Sequence, residues 1–262
     1  MKAIIFAAVA FLGATVEASI AADLPRATVY GAAPLVAPLF SWTACYVGGN
    51  IGGGWATTHP YDTNAVITGV AGSPVVNADL GSQIAPGVVG GGQIGCDYQV
   101  DRFVLGVQGM LDAARISGSN AQPGGLFTTD TSIPWFATVT ARAGITVVPT
   151  GLLYIKAGVA WMKDDLSISV TSAGAPFFGV PPGVAASVGL NASGWTVGAG
   201  FEWAFASKWS IFAEYDYLDF GTPTANFASA GSLLPSTFPL SVRQNVSAFV
   251  VGINARIGPG TF

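Results

Sequence analysis

Hydrophobic and polar residues alternate with a period of two in eight segments of this chain. The segments span residues 45–56, 87–99, 102–112, 134–147, 152–163, 194–205, 209–218 and 246–257. Because successive side chains of a β-strand point to opposite faces, the alternation predicts eight strands, each with one apolar and one polar face. Each segment has about the length that a tilted strand needs to cross a bilayer, roughly 9–11 residues plus its ends.

The two faces of the predicted strands differ sharply in chemistry. In the fourth strand, Trp135, Val139 and Ile145 share the apolar face, and Thr138 and Arg142 share the other. Alternation places eight charged residues of these segments on the polar face: Asp97, Arg102, Arg142, Lys156, Glu202, Glu214, Asp216 and Arg256. A soluble barrel would need many charges on its outer face, whereas an uncharged outer face suits lipid. We therefore expect an all-β fold, an eight-stranded antiparallel transmembrane β-barrel with a polar, filled lumen.

The connections between the predicted strands alternate between short and long. Short connections fall around 100–101, 148–151 and 206–208, and long ones span about 57–86, 113–133, 164–193 and 219–245. Outer-membrane barrels have short periplasmic turns and longer extracellular loops. The chain is thus predicted to have four long extracellular loops.

This orientation places the aromatic residues of the apolar face at two levels. The outer level contains Trp55, Trp135, Trp161, Trp195 and Tyr217, and the periplasmic level contains Tyr98, Phe103, Phe205 and Trp209. Aromatic side chains prefer the headgroup zones of a membrane, so we expect two aromatic girdles.

Composition and the N-terminus favour export to the outer membrane of a bacterium. Only 9% of residues are charged and 51% are hydrophobic, whereas soluble domains have roughly 25% charged residues. Lys2 and the apolar run that follows predict a signal peptide at 1–21. Residues 22–41 are then an extended periplasmic lead-in, and 42–262 the barrel. The formal net charge is −4 and no basic block is present, so no nucleic-acid partner is expected.

Three stretches resemble a known family. They are FSWTACYVGGNIGGGW at 40–55, GGGQIGCDY at 90–98 and EYDYLDFG at 214–221. These stretches resemble the small outer-membrane β-barrel proteins of alphaproteobacteria, the immunogenic and haemin-binding porin-like family related to the OmpA transmembrane domain. The resemblance implies an eight-stranded barrel with surface-exposed loops and a structural, antigenic or weak transport role.

Cys45 and Cys96 are the only cysteines of the chain. By alternation both lie on the lipid face, at similar heights on neighbouring strands of an exported protein. That position suits a cross-strand disulfide, with two separate thiols as the alternative. Two cysteines without further ligands do not predict a metal site.

The inward charges predict a network that fills the lumen. The interior of an eight-stranded barrel is only wide enough for side chains, and buried charges need partners. We expect salt bridges among Arg142, Lys156, Glu202, Glu214, Asp216 and Arg256. A structural role is favoured over acid–base catalysis for Glu214 and Asp216, and a narrow or proton-permeable channel is the alternative.

No arrangement of residues predicts an enzyme or a cofactor. Gly90-x-Gly92-x-x-Gly95 matches the dinucleotide fingerprint, but it lies inside a predicted strand and no helix follows it. His59 and Tyr61, placed in the first outer loop, are weak candidates for binding haemin.

The sequence as a whole predicts a structural, surface-exposed outer-membrane protein that contributes to envelope integrity and surface display. The alternatives are a narrow porin for small solutes and a loop-based binder of haemin or a host molecule. The expected partners are outer-membrane lipid and the outer-membrane assembly machinery.

Overall fold

The computed structural model describes residues 40–65, 78–121, 125–179, 181–228 and 237–257. These residues all belong to one compact unit. The predicted signal peptide and nearly all of the predicted lead-in lie outside the described residues. No helix in the described part of the chain is long and apolar enough to cross a membrane.

The described residues form ten β-strands and one short helix. They are β1 Ala44–Asp62, β2 Ala78–Asp79, β3 Gln83–Val100, β4 Phe103–Ala121, β5 Phe127–Val148, β6 Gly151–Val170, α1 Ala175–Phe178, β7 Gly183–Ala206, β8 Trp209–Asp219, β9 Thr224–Ala228 and β10 Thr237–Ile257.

Eight of these strands close into a barrel. Neighbouring strands pair antiparallel in the order β1-β3-β4-β5-β6-β7-β8-β10, and β10 returns to β1 with Cys45 opposite Ile257 and Tyr61 opposite Ser241. The short strands β2 and β9 pair with the far ends of β1 and β10. The predicted eight-stranded antiparallel barrel is confirmed.

The strands are longer than predicted. Seven of the eight barrel strands have 18 to 24 residues, and only β8, with 11, keeps the predicted length. The bounds predicted for the long loops are therefore wrong, since much of 57–86, 113–133, 164–193 and 219–245 continues the barrel wall. The short turns lie where the sequence predicted them, at 101–102, 149–150 and 207–208. Arg102 lies exposed in the first of these turns, so its assignment to the inward face is also wrong.

The two faces exchange their chemistry along several of the long strands, and β6 shows this most clearly. At the outer end of β3, by contrast, Ile84 remains exposed and Gln83 is buried. From Leu153 to Trp161 the exposed side chains are apolar, and Lys156 is buried inside. Beyond Trp161 the outward side chain of Asp165 is polar, while Leu166 is buried. We call the part between the short turns and the ring of five outer aromatic residues the barrel body, and the part beyond the ring the outer extension. The ring consists of Trp55, Trp135, Trp161, Trp195 and Tyr217.

The interior is filled at successive levels. Next to the short turns lies a cluster of Trp42, Val104, Leu152, Tyr154 and Ala204, followed by a layer of charged residues. Farther out, two clusters of mainly apolar side chains line the rest of the barrel body and the outer extension; Met110, Phe136, Phe212, Leu166 and Phe227 are among them. The ion pairs of the predicted polar lumen lie in the half near the turns, and farther out buried polar side chains such as Asp112, Thr131 and Gln244 lie among the apolar ones. In the outer extension apolar side chains such as Leu166 and Phe227 turn inward.

Candidate functional site: the charged layer and the outer surface

Two arginines and two carboxylates form a closed ring of ion pairs inside the barrel body. Arg142 Nε lies 3.0 Å from Asp97 Oδ1, and Arg142 Nη2 lies 2.8 Å from Glu202 Oε2. Arg256 contacts the same two carboxylates, with Nη2 2.8 Å from Asp97 and Nη1 2.8 Å from Glu202. The four residues come from β3, β5, β7 and β10, so the ring ties together four alternate strands of the wall.

A second group of charges lies beside this ring. Lys156 Nζ on β6 lies 2.5 Å from Glu214 Oε1 and 3.0 Å from Asp216 Oδ2, both on β8. The Tyr154 hydroxyl donates to Glu214 Oε2 at 2.8 Å, and Lys156 also donates to Gln108 Oε1 at 3.3 Å. Glu214 and Asp216, which the sequence offered as a possible acid–base pair, both form ion pairs with Lys156.

Neutral side chains complete the layer. The Ser210 hydroxyl donates to Glu202 Oε1 at 2.6 Å, and the Asn254 amide donates to the same oxygen at 3.1 Å. The Arg142 guanidinium carbon lies 4.4 Å from the ring centroid of Tyr154. The charged side chains are almost completely buried, and in such a setting an ion survives only with a full set of partners.

All six residues of the predicted network lie in this layer, and Asp97 joins them. The sequence placed Asp97 on the inward face but did not include it in the network. Its position four residues before the short turn at 101–102 gave no indication that two arginines from distant strands reach it.

Trp42 closes the turn end of the barrel, a role that the sequence did not reveal. Its side chain is completely buried, and its indole Nε1 donates to the Pro149 carbonyl at 3.3 Å. Arg256 donates to the Trp42 carbonyl at 2.9 Å, and its guanidinium carbon lies 4.6 Å from the Trp42 ring centroid. The signal was present in the alternation, because Trp42 continues the inward face of β1 occupied by Ala44 and Tyr46.

Glycines on the inward face leave room for the large side chains of the layer. A Cβ atom on Gly95 would lie 2.4 Å from the Tyr46 hydroxyl, and one on Gly198 would lie 2.1 Å from Asp216 Oδ1. Gly95 belongs to the fingerprint-like Gly90-x-Gly92-x-x-Gly95, all of which lies within β3. At Gly95 and Gly198 the absence of a side chain therefore serves close packing.

The outer surface carries the aromatic residues that the sequence assigned to girdles. Trp55, Trp161 and Trp195 are exposed, and Trp135 and Tyr217 are half-buried on the same face. Toward the short turns, exposed aromatic side chains are those of Tyr98, Phe103, Phe205 and Trp209. Apolar side chains such as Ile155, Val251 and Leu105 cover the face between them.

Cys45 and Cys96 lie opposite each other on β1 and β3 and form a disulfide, with an S–S distance of 2.05 Å. Both residues face outward. The bond fixes the turn end of the first two barrel strands.

His59 and Tyr61 do not lie in a loop, contrary to their predicted position. Both belong to β1, on its outward face, and His59 is directly opposite Arg243 of β10. β1 continues past its predicted end at residue 56 to Asp62, and these last residues lie in the outer extension. Within the described residues no group of three or more His, Cys, Asp or Glu side chains could hold a metal ion.

Comparison with known proteins assigns this barrel to a family. The profile of the family described as "Outer membrane protein beta-barrel domain" matches residues 6–243. The chain belongs to this family. As an outer membrane β-barrel protein it is placed in the bacterial outer membrane, so the short turns are periplasmic and the outer extension faces the exterior.

Two relatives of this outer membrane β-barrel protein are each named "31 kDa outer-membrane immunogenic protein", one from Brucella melitensis biotype 1 and one from Brucella suis biovar 1. Each is 32% identical over 240 residues, covering 84% of this chain and 88% of the relative. Among solved structures, the outer membrane protein OprG from Pseudomonas aeruginosa aligns with a TM-score of 0.47 and 12% identity, covering 82% of this chain and 98% of that one.

Proposed function

We propose that this outer membrane β-barrel protein is a closed, structural barrel that anchors a surface-exposed extension and contributes to envelope integrity. It acts through lipid contact and surface display, and performs no catalysis. The observation that carries this proposal is the filled interior: the ring of Arg142, Arg256, Asp97 and Glu202 crosses the lumen, and Trp42 covers its periplasmic side.

The way the lumen is filled supports closure. The ring joins strands on opposite sides of the barrel, so solute passage would require both arginines to leave their carboxylates. Breaking a buried pair leaves an uncompensated charge and costs about 3–5 kcal/mol. A path through this layer would therefore open rarely.

Single-channel conductance of the refolded protein in planar bilayers tests this proposal. We expect no steady channel in the wild type, and none in Trp42→Ala, because the ion-pair ring remains in that variant. A channel in Trp42→Ala alone would assign the closure to the indole and leave the proposal standing. A steady open channel in the wild type would overturn it.

The second candidate is a narrow path for water, protons or small solutes. It is favoured by three buried polar atoms near the charged layer, Gln93 Oε1, Gln108 Nε2 and Thr138 Oγ1, which have no hydrogen-bond partner among the described residues. Buried polar atoms of this kind are commonly satisfied by water. Proton flux into vesicles without a measurable salt conductance would favour this candidate over the closed barrel.

A further inference from the structure

Three kinds of surface chemistry follow one another along the outward face of β4, β5 and β6. The first is an apolar groove at the level of the outer aromatic ring. Its outward wall is formed by Gly90, Leu111, Ala113 and Trp135, and its volume is about 510 Å³. Gly90, which has no side chain, lies directly opposite the small Ala113, and the two residues leave the depression beside the Trp135 indole.

Two cations lie directly beyond this groove. On one side of Trp135, Lys163 of β6 lies directly opposite it. On the other side Ala113 of β4 lies opposite Trp135, and Arg115 follows two residues farther out along β4. Arg115 is exposed and forms no ion pair within the described part of the chain, and the half-exposed Lys163 lies 3.3 Å from Asp165 Oδ1. With one strand between them, β4 and β6 are about 10 Å apart.

A polar depression with many hydroxyl groups lies beyond the cations. Outward residues of β4 to β7 form two rows across the sheet. The first row consists, strand by strand, of Ser117, Ser132 and Asp165. The second consists of Ser119, Asp130, Ser167 and Ser187. The depression has a volume of about 760 Å³. Serine hydroxyls donate and accept hydrogen bonds, and carboxylates accept them, so this surface suits a ligand with several hydroxyl groups.

We propose that this surface binds a phosphorylated glycolipid of the outer leaflet. An acyl chain occupies the groove beside Trp135, a phosphate lies between Arg115 and Lys163, and the sugar contacts the serine rows. Phosphate oxygens are strong acceptors for Arg and Lys. Asp130 lies farther out than the cations and meets the sugar hydroxyls. Asp165 forms an exposed ion pair with Lys163 at 3.3 Å, and because such pairs contribute little, the phosphate replaces this carboxylate, which then accepts from a sugar hydroxyl.

Among the described residues, the opposite side of the barrel does not show this sequence of surfaces, so it supplies a matched control. Arg243 of β10 is also exposed, outward-facing and close to the aromatic ring. Its neighbours on β1 and β8 are His59, Tyr61 and Asp219, without rows of serines. Arg243 therefore tests whether any outward cation at this level is sufficient.

Native mass spectrometry of the detergent-refolded protein tests the proposal. The probe is a bis-phosphorylated, acylated glucosamine disaccharide, compared with its dephosphorylated form and with phosphatidylglycerol. Each interfacial cation contributes about 1 kcal/mol toward an anionic lipid, or about fivefold in affinity. We expect Arg115→Gln/Lys163→Gln to bind the phosphorylated glycolipid about 25-fold more weakly than the wild type, and Arg243→Gln to bind it equally.

Two further arms separate phosphate from sugar. Wild-type binding is expected to fall by a similar factor for the dephosphorylated glycolipid, and phosphatidylglycerol is expected to bind more weakly than the phosphorylated glycolipid. Equal weakening by Arg243→Gln would overturn the site, and equal binding of phosphatidylglycerol would overturn the sugar contact.

The variant Ser119→Ala/Ser167→Ala, which leaves the cations intact, should weaken the binding of the glycolipid and leave the binding of phosphatidylglycerol unchanged. Because both exchanged cations are exposed, folding of the variants is checked by heat-dependent gel mobility.

Discussion

The barrel body and the outer extension are built from the same strands but arranged in opposite ways. In β6, Val159 faces outward and Lys156 inward below the aromatic ring, whereas Ser167 faces outward and Leu166 inward above it. The backbone does not change; the medium outside the wall does. Lipid selects an apolar exterior, and water selects an apolar interior.

The two regions therefore derive stability from different interactions. In the body, lipid covers the apolar face, and the periplasmic half of the interior depends on ion pairs that need every partner. The outer extension has a mainly apolar interior like that of a water-soluble β-barrel, with the buried carboxyl of Asp164 among its polar exceptions. Substitutions in the two regions should then differ in size and in response to pH.

The largest effect is expected from Arg142→Met. This change removes the partner of Asp97 and Glu202 and leaves buried carboxylates undercompensated, which lowers the free energy of unfolding by about 3–5 kcal/mol. Urea unfolding in lipid vesicles, followed by tryptophan fluorescence, measures the change.

The matched control is Lys163→Met in the outer extension, where the partner Asp165 is half-exposed. Exposed ion pairs contribute about 0–1 kcal/mol. Equal losses in the two variants would contradict the difference drawn between the regions.

A pH effect on the outer extension is expected from Asp164. Burial raises the pKa of this carboxyl from 3.8 to about 7, against hydrogen bonds from Gln244 and the Ser132 amide. Because the folded pKa lies above the unfolded value, the stabilisation is complete below about pH 4 and is lost as the pH rises through about 7, by about 4 kcal/mol at most.

Hydrogen exchange of the amides around Ser132 and Leu166 measures this effect. Exchange, corrected for its intrinsic pH dependence, should accelerate between pH 4 and 8 in the wild type. In Asp164→Asn the protection should be independent of pH, and a variant that kept the full dependence would rule out this carboxyl as its source.

A smaller effect is expected from adding one methyl group to an inward glycine. In Gly95→Ala the new Cβ collides with the Tyr46 hydroxyl, and overpacking of this kind costs about 1–3 kcal/mol. In Gly49→Ala, on the outward face of β1, the nearest atom to the Cβ is 3.7 Å away, so no loss is expected. The urea midpoints of the two variants measure this difference in stability, provided that the slope of the unfolding free energy against urea concentration is the same in both.

The sequence predicted the barrel body because one rule holds throughout it. Apolar residues occupy every outward position of β6 from Leu153 to Trp161, and a search for alternation detects that run. At 164–170 the apolar residues move to the even positions, so the alternation of the barrel body is broken there and the segment was predicted to be a loop. The strand is continuous, but its hydrophobic phase reverses at the membrane boundary.

The charged layer was predictable in its members but not in its pairing. Alternation placed Arg142, Glu202 and Arg256 inside, yet which carboxylate meets which arginine depends on the stagger of strands far apart in the chain. Trp42 was missed for a different reason. It continues the inward face of Ala44 and Tyr46, but it precedes β1 and lies before the first predicted strand segment at 45–56.

Nitroxide accessibility along β6 tests the central claim most directly. Labels at Val159, Leu166 and Ser167, one per protein in lipid vesicles, are probed with oxygen, which concentrates in lipid, and with a water-soluble nickel chelate. We expect Val159 to respond to oxygen, Ser167 to the chelate, and Leu166 to neither. A label at Ser167 that meets lipid, or one at Leu166 that meets water, would contradict the exchange of faces at the aromatic ring.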